Sequence, residues 1–330
     1  MKKTNCLTAM VTPINADGSI DWEGLEKNIL FQIKEGVRGL VPAGTTGESP
    51  TLSPLEHSNV IARMSYLSSD DTFVLAGTGS NSTREMLQYA EAAQAAGCDG
   101  LLLVDCYYNG PSSLELRENY YTPAAESFPD LSICPYIIPG RTGCALMPED
   151  LRLLNEKFPN INSVKEATGD MERVKETAAI MPEDFAIYSG DDDKTYSMMT
   201  DNEINGAGVI SVMSNIAPGA VQRMCNLIQS GKSDEAAVIR DSLTPVFRLV
   251  GVTCGWNRFK NPVPVKTMMR GLGMPAGKCR RPLGEMLPEG VAQVRAALQE
   301  IWDNNPWILQ PIEEYYKVDV AARLADDNNW

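Results

Sequence analysis

Eight short apolar runs, each followed by a longer amphipathic segment, recur through the first 230 residues. This alternation restricts the fold more than any other feature of the chain. The runs are CLTAMVTP (6–13), RGLVPAG (38–44), TFVLAGTG (72–79), DGLLLVD (99–105), ICPYIIP (133–139), INSVKE (161–166), FAIYSG (185–190) and GVISV (208–212). Between them lie segments with helical spacing, such as DWEGLEKNILFQIKEG with Leu25, Ile29 and Ile33 on one face. Start signals accompany several of these: Ser53 precedes Pro54, and Ser82 stands three residues before Glu85, a capping-box spacing. Strands that are apolar nearly throughout suit a parallel sheet covered on both faces, and eight strand–helix units match a (β/α)8 TIM barrel. A doubly wound open sheet is the competing architecture, but VTPINADGSID after the first run is not a glycine-rich dinucleotide loop. The expected organisation is a barrel over 1–229 and a C-terminal helical domain over 230–330, where strands stop. An extra aromatic tail, able to dock on something, begins at about 303.

Charge and cysteine content narrow the function. A formal net charge of -14 argues against a nucleic-acid or anionic-membrane surface, and it means that an anionic substrate needs local positive groups. The eight cysteines contain no C-x-x-C pair, so neither a zinc site nor a disulfide framework is indicated, and no metal is expected. The N-terminal stretch MKKTNCLTAMVTPINADG lacks a sustained apolar run, and no segment of about 18 apolar residues occurs. A cytoplasmic protein without membrane association is expected.

Barrels of this kind carry their sites at the C-terminal ends of the strands. There the chain places GTTGES (44–49) after the second run, Tyr107 and Tyr108 after the fourth, Tyr136 on the fifth with Arg141 in the following PGRTG, Lys165 on the sixth, and SGDDD after the seventh. Singly, each has a plainer reading. GTTGES serves equally as a turn and helix cap, the tyrosines as packing, Lys165 and Arg141 as surface cations. SGDDDKTY lacks the alternating spacing of a calcium loop and reads as a helix N-terminus, where acids favour the dipole. Together, a lysine, two tyrosines, an arginine and a glycine–threonine anion cradle in one barrel mouth suit imine chemistry. An amine must be neutral to attack a ketone, and a dry barrel mouth disfavours the ammonium form of a lysine.

In order along the chain, GTTGES, YYN, a fifth-strand tyrosine followed by PGRTG, VKEATGD, SGDD, GVISV and NPVPVK resemble the dihydrodipicolinate synthase and N-acetylneuraminate lyase family over roughly residues 4 to 290. The resemblance implies a barrel with a C-terminal helical domain, a homotetramer of two tight dimers, no cofactor, and a Schiff base between pyruvate or another 2-oxo acid and Lys165. It assigns Thr45 and Thr46 to the pyruvate carboxylate and Tyr136 to proton transfer, linked to Thr45 and to Tyr108 from the neighbouring subunit. Arg141 falls to the second substrate's carboxylate, and Gly190 and Ile210 to the pocket wall. Two threonines in the first motif and Arg141 point to the synthase branch, which condenses pyruvate with L-aspartate 4-semialdehyde on the diaminopimelate route to lysine. Departures are Cys106 where the synthases have proline, Ile137 in place of an asparagine after the tyrosine, and the longer tail.

A retro-aldolase or dehydratase acting on a 2-oxo-3-deoxy sugar acid is the alternative within the fold. A non-catalytic ligand-binding paralogue is the alternative from another class, against which the full set of reactive side chains weighs. The resemblance further implies an L-lysine effector pocket at Ser49, His57, Asn81, Glu85 and Tyr107, with Pro54 replacing a family histidine nearby.

Overall fold

The computed structural model describes residues 5–69 and 71–330; Met1–Thr4, which open the stretch MKKTNCLTAMVTPINADG, and Asp70 lie outside the described residues. Eight parallel strands close into a barrel in sequence order: β1 (Cys6–Ala9), β2 (Gly39–Val41), β3 (Phe73–Gly77), β4 (Gly100–Val104), β5 (Ser132–Ile137), β6 (Ser163–Glu166), β7 (Ala186–Ser189) and β8 (Gly208–Ser211), with β8 pairing back to β1. Each strand is shorter than its apolar run. Val11, after β1, is buried in a loop of the barrel mouth, whereas Ile161 and Phe185 are buried ahead of β6 and β7, at the opposite end.

Period-2 alternation divides each strand between two cores. Outward side chains, Leu101, Leu103, Ile133 and Val164 among them, pack beneath the surrounding helices. Inward side chains, including Leu7, Val41, Leu75, Leu102, Cys134, Tyr188 and Ile210, fill the barrel axis. Barrel helices begin where the chain supplies caps. Ser53 and Glu56 form a reciprocal capping box at the helix Pro54–Leu67. At Ser82 only half of that arrangement exists: Ser82 caps the Glu85 N–H, but the Glu85 carboxylate turns instead to the Ser80 hydroxyl.

The expectation that strands end near residue 230 is corrected. After the helix Ser233–Phe247 an antiparallel hairpin follows, β9 (Gly251–Cys254) and β10 (Asn257–Lys260). Its signal is the buried–exposed alternation Val252, Thr253, Cys254 and the turn residue Gly255 at φ +57. Helices Val263–Leu272 and Pro288–Asn304 then pack on the β8–β1 side of the barrel, sharing one apolar cluster with Val209, Val212 and Phe31. The aromatic tail docks on this same side. Tyr315 packs tilted and Tyr316 edge-on against Phe31, the Tyr316 hydroxyl donates to Asn28 Oδ1 at 2.8 Å, and Trp330 covers Gly271. Among the described residues no helix is long and apolar enough to cross a membrane.

Behind β4 the buried Asp105 accepts from the Tyr121 hydroxyl at 2.5 Å and the Leu146 N–H at 3.1 Å, and burial pushes its carboxyl up to about 7. The folded chain therefore keeps this proton between about pH 4 and pH 7, where the unfolded chain releases it. The group's contribution to stability is full below about pH 4 and is lost as pH rises through 7. Asp105→Asn, whose amide can still face Tyr121, removes that loss. In urea unfolding the variant should gain on the parent by about 2 kcal/mol between pH 5 and pH 8.

Candidate active site

Lys165 faces the barrel axis because inward positions on β6 are Ser163 and Lys165, while Val164 packs outward. It is 4% exposed, in register with Tyr136 on β5 and Tyr188 on β7, and its Nζ lies 4.3 Å from the centroid of the Tyr136 ring. Gly190 makes room for it: a Cβ there would stand 3.1 Å from Lys165 Cε and 2.5 Å from Ala167 Cβ. Lys165, Tyr136, Thr45, Thr46, Arg141 and Gly190 line one cavity of ≈ 380 Å³. A second cavity of ≈ 200 Å³ shares Thr45, Tyr136 and Arg141 with it and extends to Ser49 and Tyr107.

The threonine loop is held from behind. Ala43 and Glu48 bracket it with positive φ, 51° and 60°. The Glu48 carboxylate is buried against Lys266 Nζ at 2.6 Å and also accepts from the Arg280 N–H at 2.7 Å. Lys266 Nζ completes its set with the carbonyls of Thr12 and Lys278 at 3.2 and 3.1 Å. Asn261 then joins the two cavity-lining motifs. Its Nδ2 donates to Thr46 Oγ1 at 2.9 Å, and its carbonyl accepts from Arg141 Nη2 at 3.0 Å.

On the far wall SGDDD opens a helix as expected, a 3-10 turn Asp192–Lys194 running into the helix Thr195–Thr200, and its acids have further partners. Asp192 is buried and receives the Ser211 hydroxyl and the N–H groups of Val212 and Met213, which fixes the end of β8; burial raises its carboxyl to about 6. Asp191 lines the cavity, and desolvation raises its carboxyl.

Two expected residues are not brought to the cavity. Ile210 is fully buried in the packed layer along the barrel axis and is absent from the lining, since its β8 position lies below the mouth. Tyr108 is 89% exposed, at φ 80, and lines neither cavity of its own chain. The other set does converge. Tyr107 and His57 both feel the Glu85 carboxylate, and Tyr107 lies beside Asn81 and Ser80; burial raises the Tyr107 hydroxyl. His57 is 1% exposed and stacks on Tyr89 at 3.9 Å, and among the described residues neither ring nitrogen has a hydrogen-bond partner of good geometry. Burial pushes its imidazole down to about 4, with only weak opposition from the Gly77 carbonyl and Glu85.

Residues 2–301 match the dihydrodipicolinate synthetase family. The chain belongs to that family. A 4-hydroxy-tetrahydrodipicolinate synthase of Methanococcus vannielii is 40% identical over 293 residues, covering 89% of this chain and 96% of that one. Among solved family structures, the lysine-bound dihydrodipicolinate synthase of Cyanidioschyzon merolae superposes with a TM-score of 0.84 at 33% identity, over 90% of this chain and 97% of that one. The chloride-inhibited synthase of Acinetobacter baumannii, complexed with pyruvate, gives 0.83 at 34% identity over 91% and 99%. The docked tail beyond Ile301 lies outside the matched family region.

Sequence reasoning missed Asn261, although NPVPVK was among the motifs that carried the family resemblance. It also missed the role of Glu48 and Lys266, whose partnership spans 218 positions. Lys266→Met strands the Glu48 carboxylate in the interior and should cost about 3–5 kcal/mol in chemical denaturation. Adding Glu48→Gln should recover part of that loss, because no unpaired charge then stays buried.

Proposed function

We propose that the protein condenses pyruvate with L-aspartate 4-semialdehyde, the reaction of 4-hydroxy-tetrahydrodipicolinate synthases, and so serves the diaminopimelate route to lysine. The observation that carries this reading is the buried Lys165 amine, which shares one cavity with Tyr136, the Thr45–Thr46 loop and Arg141. The names of the relatives and the pyruvate complex of the Acinetobacter enzyme support it.

Lys165 Nζ attacks C2 of pyruvate while the pyruvate carboxylate rests on Thr45 and Thr46. The carbinolamine loses water to become an imine, with Tyr136 passing the protons. Removal of a C3 proton gives the enamine, whose C3 bonds to the aldehyde carbon of the semialdehyde held through its carboxylate by Arg141. The semialdehyde's own amine then attacks C2, expels Lys165 and closes the ring. Tyr108, exposed on its own chain, is assigned to the neighbouring subunit's site within a homotetramer of two tight dimers; this assembly rests on the family resemblance, and a cytoplasmic location is the expectation from the sequence.

Borohydride added in the presence of pyruvate should fix a mass adduct that maps to Lys165. No adduct, or one at Lys266, would overturn the mechanism. Offered in turn L-aspartate 4-semialdehyde and 2-oxo-3-deoxy sugar acids, the enzyme should turn over the semialdehyde and not the sugar acids.

The same reading extends to feedback by L-lysine at Ser49, His57, Asn81, Glu85 and Tyr107. Glu85 supplies a carboxylate for an ammonium, and the Cyanidioschyzon structure has lysine bound. L-lysine at millimolar concentration should inhibit turnover, and Glu85→Ala should abolish that inhibition while turnover persists. Full activity at saturating lysine, with no heat of binding, would exclude the site.

A further inference from the structure

The hairpin β9–β10 overhangs the barrel mouth with its two faces divided. Val252, Cys254 and Phe259 belong to the apolar cluster of the C-terminal region, and Cys254 and Val252 close against Gly290 on the helix Pro288–Asn304. Period-2 alternation turns the other face, Gly251, Arg258 and Lys260, to the cavity, where all three line the wall with Arg248 from the end of the preceding helix. Gly251 stands opposite Lys260 in the hairpin register.

Arg248, Arg258 and Lys260 are exposed, and none has an acidic partner within 4.0 Å among the described residues. The Lys260 amine reaches only the Gly140 carbonyl, at 3.5 Å, beside Arg141. With Lys165 and Arg141 the cavity has five basic side chains against three acidic ones, in a chain whose acids outnumber its bases by 43 to 29. Two of the three acids are engaged, Asp192 with the end of β8 and Asp193 with Lys194 at 3.9 Å. A strongly anionic protein repels anionic substrates at long range, and a cleft lined by the opposite sign reverses that field locally.

We propose that Arg248, Arg258 and Lys260 form a cationic capture subsite for small carboxylates at the barrel mouth, outside the threonine cradle. It rests on the pyruvate-dependent reading above. Carboxylate substrates dock first on this rim and pass from it to Lys165, so the subsite acts on encounter and affinity rather than on bond making. It is a surface of charges, and salt weakens it.

The test compares the native enzyme with R248Q/R258Q/K260Q and with the charge-conserving R248K/R258K. At low ionic strength the second-order rate of borohydride-trapped pyruvate adduct formation should fall about tenfold in the glutamine variant. The native rate should drop as sodium chloride is added, while the variant's should not fall, because only the repulsion of the acidic chain is left to screen, and in turnover the loss should appear in KM rather than kcat. The lysine variant should keep the native rate, which separates charge from hairpin packing; thermal melts report whether each variant folds. A native rate that ignores salt, or a lysine variant that behaves like the glutamine one, would overturn the proposal. Calorimetry with succinate as probe provides a second reading that does not depend on chemistry. If the native enzyme forms no pyruvate adduct, the functional reading fails, yet succinate binding weakened in the glutamine variant would still support the subsite. Equal succinate binding in both would overturn it.

Discussion

The buried contact between Glu48 and Lys266 underlies the arrangement of the site. Taking a carboxylate and an ammonium out of water costs several kcal/mol each, and the attraction offsets this only where hydrogen bonds satisfy the remaining valences. Here they do: Arg280 N–H serves the carboxylate, and the Thr12 and Lys278 carbonyls serve the ammonium. One pair thereby ties together the loop after β1, the threonine loop after β2 and the helix Val263–Leu272. The pair adds to the loop's own hydrogen bonds, in which the Gly47 carbonyl accepts from the Thr12 hydroxyl and the Glu48 N–H donates to the Thr45 carbonyl, and together they hold the bend at the positive-φ residue Glu48. Asn261 stands at the start of the same helical segment, so the link reaches Thr46 and Arg141 together.

On the opposite wall the support is of a different kind. Asp192 fixes the end of β8 by accepting from two backbone N–H groups and the Ser211 hydroxyl, and Gly190 gives the space that Lys165 occupies. The reactive amine thus sits between a wall held by an ion pair and a wall held by a buried carboxylate. Rigid support on both sides fixes the position of the Lys165 amine within the cavity. The hairpin closes the third side with cations, which offset the field of an acidic chain.

Much of the barrel was legible from alternation alone. Eight apolar runs separated by helical segments predict eight parallel strands with covering helices, because only strands buried on both faces are apolar throughout. Lys165 stood out because a charged residue interrupts such a run at a strand end. The hairpin was passed over because four-residue strands flanking Gly255 leave a weak periodic signal. The half-formed cap at Ser82 shows a related limit: the Ser82–Glu85 spacing is right, but Ser80 competes for the same carboxylate.

The sequence by itself determined the fold class, the eight strand positions and the inward phase of Lys165, since period and burial act within one element. Tertiary structure alone decided that Glu48 meets Lys266, that Asn261 joins Thr46 to Arg141, and that Ile210 lies in the packed layer below the lining. It also decided that the exposed Arg258 and Lys260 line the rim of the cavity. These outcomes depend on contacts between residues far apart in the chain, set by barrel closure and by the side on which the C-terminal helices dock, and no local period encodes them.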